Sequence, residues 1–190
     1  MKKNYILFVI CFIVTFVQSC KKDVDKSKDY ERLSETNIVS NKKVNVKLLA
    51  VNDSEVFGSA IFKEEGNKVT MIALINNLKA TNYKMLIIND DNCSNLVENE
   101  SLHWNPTNEK HGLWGDESGY HKGDIGYLKT DDLLKNGTLS FSTNEWCIDC
   151  DDDTKNILGK GLIIIEERSD SISDKKDNVI LSCGQIKKEN

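Results

Sequence analysis

From Val44 onward apolar side chains recur at every second position, and this period of two confines the chain to strands. Val44, Val46, Leu48 and Ala50 alternate with Asn45, Lys47 and Leu49; residues 57–63 follow, and a Glu65-Gly66-Asn67 turn leads into residues 69–75. Further strand-like runs are residues 85–88, 125–129, 137–142, 162–166 and 179–183, eight runs in all. No long amphipathic helix pattern interrupts them. Short strands with turn signals between them predict an all-β domain, an antiparallel sandwich or barrel. Two stretches are too long to be turns, residues 89–124 and 143–156, and long loops on a β scaffold are where function concentrates.

The chain opens MKKNYILFVICFIVTFVQSC: two lysines, a mostly apolar run over residues 5–17, then small or polar residues before Cys20. This is the pattern of a secretory leader, and its apolar part is short for a membrane-spanning helix. The Val-Gln-Ser-Cys ending resembles a lipobox. Residues 1–19 are therefore expected to leave as a lipoprotein signal peptide, with Cys20 acylated as the new N-terminus. Residues 20–43 read as a tether, since residues 21–37 are charged and poor in apolar side chains. Residues 44–190 read as one domain, long enough to bury a full core. The net charge of −5 becomes more negative once Lys2 and Lys3 are removed. That balance argues against nucleic acid and anionic lipid as partners, the anchor itself apart.

Six cysteines are present. Cys11 leaves with the leader and Cys20 carries lipid, so Cys93, Cys147, Cys150 and Cys183 remain for an oxidising compartment, in any of three pairings.

All three histidines, His103, His111 and His121, fall within nineteen residues of the first long loop, and Asp124 follows the last by three. Three imidazoles and a carboxylate make a complete tetrahedral set for a closed structural zinc site. The segment Ser101-Leu102-His103-Trp104-Asn105-Pro106, the His111-Gly112 pair and the run His121-Lys122-Gly123-Asp124-Ile125-Gly126 are similar to the zinc loop of copper/zinc superoxide dismutases. The resemblance extends over about residues 44–186. It implies an eight-stranded Greek-key β-sandwich or flattened barrel, with His103 matching the ligand that bridges copper and zinc, and His111, His121 and Asp124 matching the zinc-only ligands.

The copper half departs from the family. Where the resemblance places three copper imidazoles the chain has Leu86, Ile88 and Ile165, and where it places the guiding arginine stands Ile180. Aliphatic side chains have no electron pair for copper. If the four converge, the former copper site becomes a dry, closed patch. The resemblance also implies a Cys93–Cys183 disulfide. Cys147 and Cys150 lie outside the family pattern and read foremost as a short-loop disulfide, with a soft-metal site or a redox pair as alternatives. Asp151, Asp152 and Asp153 read as a solvated acidic turn ahead of a calcium loop, and Trp104, Trp114 and Trp146 as packing around the zinc loop ahead of a sugar platform. The resemblance further implies a carboxylate that hydrogen-bonds a copper and a zinc histidine; by count from Ile165 its place falls on Ser169, and Asp170 next to it is the candidate.

These readings converge on a superoxide dismutase-like lipoprotein of the cell envelope that holds one zinc and no copper. Its role is expected to be binding or structural rather than catalytic. The alternatives are an active dismutase using a redox metal on other ligands and, further off, a thiol oxidoreductase built on Cys147 and Cys150. The expected partner is the lipid membrane, through Cys20. The protein or ligand partner, a homodimer and the side of the outer membrane faced are left open.

Overall fold

A computed structural model of the chain describes residues 41–79, 82–94, 96, 100–169 and 176–188. The leader, Cys20, most of the tether and Asp170 lie outside these residues. Among the described residues nine strands form: β1 (Asn41–Ala50), β2 (Phe57–Glu65), β3 (Lys68–Asn76), β4 (Tyr83–Ile88), β5 (Asp124–Tyr127), β6 (Lys129–Asp131), β7 (Asn136–Thr143), β8 (Lys160–Ser169) and β9 (Lys176–Ile186). A 3-10 turn, Glu100–Leu102, sits in the long loop after β4. β1 begins at Asn41, so residues 41–43, read above as tether, belong to the first strand.

The alternation of the sequence is the alternation of burial. Val44, Val46 and Leu48 of β1, Ala60 and Phe62 of β2, and Val69, Met71, Ala73 and Ile75 of β3 point into one core. Their neighbours face outward, as the pleat of a strand requires. Gly66, at φ +63°, makes the β2–β3 turn, a backbone region that costs glycine little.

β4 and β8 break the alternation, being apolar on both faces. Met85, Ile87, Leu162 and Ile164 join the main core. Leu86, Ile88, Ile163 and Ile165 point the other way into a second buried cluster, roofed by Val51, Cys93, Leu96 and Leu102 from the loops. A strand buried on both faces reads as a continuous apolar run, and these do.

All pairings are antiparallel, in the order β5-β4-β8-β9-β1-β2-β3-β7-β6. The end strands β5 and β6 are consecutive in the chain, separated by Leu128 alone. Its N–H donates to the Tyr83 carbonyl at 2.9 Å, and its side chain is buried. The sheet therefore curls until its two ends nearly meet, a flattened Greek-key barrel. The strand count is nine rather than eight because the run 125–129 is two strands. The chain changes partner at Leu128, from β4 to β7, without any change in apolarity that marks the break.

Candidate metal centre

Backbone hydrogen bonds fix the histidine loop to β4. Trp104 N–H donates to the Ile87 carbonyl at 2.9 Å, Ile87 N–H to Gly123 at 2.9 Å, and Gly123 N–H to Trp104 at 2.9 Å. Gly123 has to be glycine: a Cβ there would lie 2.2 Å from the Ile87 carbonyl oxygen. Asn89 adds a side-chain bond to the His103 carbonyl at 2.9 Å. A tight turn, Asp124 N–H to the His121 carbonyl at 3.0 Å, brings the last histidine over the first residue of β5.

The result gathers His103, His111, His121 and Asp124 around one point, with one donor atom from each within 4.8 Å of every other. Asp124 Oδ1 lies 2.8 Å from His103 Nδ1. Its Oδ2 lies 3.0 Å from His111 Nδ1 and 3.5 Å from His121 Nδ1. The three ring centroids are 5.1, 5.2 and 5.5 Å apart, close to an equilateral triangle. Metal–ligand bonds of about 2.0–2.2 Å in a tetrahedron put donors roughly 3.3–3.6 Å apart, near the upper end of the 2.8–3.5 Å between the Asp124 oxygens and the three Nδ1 atoms. His103, His121 and Asp124 are buried, and His111 forms the outer wall with its side chain 44% exposed. A carboxylate and two ring nitrogens removed from water, with a third imidazole converging from the rim, call for a compensating cation, and the set fits one.

Behind this centre, Leu86, Ile88, Ile165 and Ile180 share the second buried cluster with Ile163 and Cys183. Ile88 bridges directly to His103. Register shifts fall between Met85 and Leu86 in the β4–β5 pair and between Ile164 and Ile165 in the β8–β9 pair, re-aiming the strands next to the cluster. Leu86, Ile88, Ile165 and Ile180 converge in one buried patch, each 2% exposed or less. Leu86 and Ile165 line a cleft of about 450 Å³ that also touches His103, His111 and Asp124.

Cys93 and Cys183 are joined, with Cα atoms 5.7 Å apart and a sequence separation of 90. A loop that long corresponds to about 4–5 kcal/mol in the chain-entropy account. Cys147 and Cys150 are joined to each other. Their loop grips the histidine loop at three points. Trp146 Nε1–H donates to the Lys122 carbonyl at 3.0 Å, Lys122 Nζ to the Thr154 carbonyl at 3.0 Å, and Tyr120 O–H to Glu145 Oε1 at 2.6 Å. The Glu145 carboxylate beside it, with some help from burial, pushes the Tyr120 hydroxyl up to about 12.

Asp151, Asp152 and Asp153 are exposed. Asp152 caps the turn through Thr154, whose N–H donates at 3.0 Å and whose hydroxyl donates at 2.7 Å. Trp104 and Trp146 are buried, and Trp114 stacks among Tyr120, Phe141 and Trp146.

Two groups escaped the sequence reading. Glu64 is buried and accepts the Ile148 N–H at 2.6 Å, with Lys42 Nζ at 3.9 Å, so a strand carboxylate anchors the Cys147–Cys150 loop. Its parity with Ala60 and Phe62 marks it as inward-facing. At the cleft mouth Lys84 pairs with Glu167 and lies 4.8 Å over the Tyr127 ring, and Tyr127 O–H donates to Glu167 at 2.9 Å. Burial pulls the Lys84 ammonium down, but the bonds to Glu167 and Tyr127 outweigh it and its pKa is raised.

Fold and site together define a class: a Greek-key β-barrel protein whose loops assemble a metal-ligating His₃Asp set. The copper/zinc superoxide dismutase (SODC) family model matches residues 56–186. The chain belongs to the copper/zinc superoxide dismutase family. β1 completes the barrel from outside the matched segment. No curated protein matches the chain.

Proposed function

We propose that this chain is a zinc-holding member of the family that has lost copper and with it dismutase chemistry, and that it serves at the cell envelope as a lipid-anchored binding or structural protein. One observation carries the reading. Leu86, Ile88, Ile165 and Ile180, at the positions that the resemblance gives to three copper imidazoles and the guiding arginine, sit together in one hydrocarbon cluster against His103. None offers an electron pair to a metal. His103 alone cannot hold copper, and among the described residues one group of metal-holding geometry occurs, the His₃Asp set.

A zinc ion on His103, His111, His121 and Asp124 would supply charge neutralisation and a cross-link, with no redox cycle. The protein's own residues account for the rest. Asp124 opens β5, His103 is bridged to Ile88 at the end of β4, and His111 and His121 come from the loop. An ion on this set would tie the loop to the barrel wall, so binding would add to folding free energy. The leader and Cys20 support the anchor.

The test is metal content and activity. Purified mature protein is expected to carry about one zinc per chain with copper at background, and to show background dismutase activity after incubation with copper. Asp124→Ala or His111→Ala is expected to release zinc and lower thermal stability, by about 4 kcal/mol where free zinc stands near 1,000 times its dissociation constant. Copper-dependent dismutation well above that of free copper would overturn the non-catalytic reading, and a protein without zinc would overturn the loop assignment.

A further inference from the structure

We propose that the cleft beside the metal loop is a binding site for a small, uncharged, largely apolar molecule with one hydrogen-bonding end. The inference deepens the binding role proposed above and rests on it.

The cleft has a volume of about 450 Å³, within the range of small-molecule pockets, about 300–1,000 Å³. Its floor is hydrocarbon, Leu86 and Ile165, each 2% exposed in total. Its lips are apolar too: Leu113 is 61% exposed and Tyr127 45% exposed, and both line this space. Large apolar side chains left in water around a concave hydrocarbon floor gain burial only from an occupant.

Charge fixes the class of that occupant. The ammonium at the rim, Lys84, is already neutralised by Glu167, which also accepts from Tyr127. Asp124 is engaged with the three imidazoles. Among the lining side chains no charge is left without a counterpart; an ion on the His₃Asp set would leave one net positive charge, but enclosed by four ligands at the wall and not on the floor, so an ionic group resting on Leu86 and Ile165 would be desolvated with little return. A neutral molecule avoids that cost. Its polar end can exchange hydrogen bonds with the Lys84–Glu167–Tyr127 group while its body covers the floor.

The site is also linked to the metal. Leu113 stands between His111 and His121 in the chain, so the loop that the ligands close is the loop that forms one lip. An ion that orders the loop strengthens ligand binding, and the ligand strengthens metal binding by the same factor.

The experiment uses Cys20→Ala protein, so that no lipid takes up the probe, with N-phenyl-1-naphthylamine as a neutral fluorescent reporter. Zinc content and dismutase activity are measured on the same preparations. Saturable one-site binding is expected, weakened about fivefold or more by Leu113→Ser, by Ile165→Trp and by zinc chelation. The anionic analogue 1-anilinonaphthalene-8-sulfonate is expected to bind at least tenfold more weakly.

Ile72→Ser, on an exposed sheet face away from the cleft, is expected to change nothing. Leu113 is exposed, so its variant folds even if Ile165→Trp does not. Absence of saturable binding to zinc-loaded protein overturns the inference. So does binding that survives Leu113→Ser but falls with Ile72→Ser, or tighter binding of the anionic analogue. A preparation without zinc, or with dismutase activity, instead overturns the functional reading.

Discussion

Ile88→His returns one imidazole to the hydrocarbon cluster and measures how dry that cluster is. Ile88 has no exposed surface, pairs with Gly161 of β8 and bridges to His103. Losing the buried isoleucine forfeits about 2 kcal/mol of transfer free energy. A ring nitrogen without a partner costs a further ~1–3 kcal/mol. The expected destabilisation is about 3–5 kcal/mol, against about 0.5–1.5 kcal/mol for the volume control Ile88→Val.

The substitution also imprints a pH dependence. Desolvation disfavours the charged imidazole, so the folded-state pKa lies below the unfolded value of about 6.5. Above that pH both states are neutral and the difference is constant. Below it the unfolded chain binds a proton that the folded chain does not, and stability falls as pH falls, by up to about 1.4 kcal/mol per pH unit. Urea unfolding of parent and variants at pH 8 and pH 5.5 reads both quantities. A variant within about 1 kcal/mol of the parent at pH 8, with no added loss at pH 5.5, would show the cluster to be wet and polar and refute the reasoning. Copper-dependent dismutation by the variant would do the same.

Tyr120 is expected to titrate late, near 12, in an alkaline absorbance titration, because the Glu145 carboxylate holds its proton. Glu145→Gln is expected to bring it back toward 10, and a titration curve indifferent to that change would deny the contact. Cys20→Ala is expected to leave the protein unacylated and soluble in the periplasm or medium; partitioning with membranes like the parent would show that the lipobox reading is wrong.

Most of the barrel was legible because its information is local. β1, β2 and β3 declare themselves by parity, and Glu64 would have too, had parity been weighed above charge. The Leu128 break was not legible, since an inward leucine reads the same whether its strand continues or changes partner. For the metal centre, ligand types and spacing name the set. The backbone bonds among Ile87, Trp104 and Gly123 that bring it together are long-range and leave no periodic trace. The aliphatic substitutions were visible only against the family pattern. Their merger with Ile163, and the cleft above them, depended on β4 and β8 lying side by side.

The one-residue junction at Leu128 has a consequence for life on a membrane. For a chain held by a lipid, as proposed above, neighbours meet at an effective concentration far above that of free solution. Open strand backbones at such density would invite intermolecular pairing and aggregation. Here the two terminal strands are four and three residues long and turn directly into one another, so this end of the sheet leaves an adjoining molecule little backbone to extend. On such a surface, that short rim would limit strand exchange between neighbours at this end of the barrel.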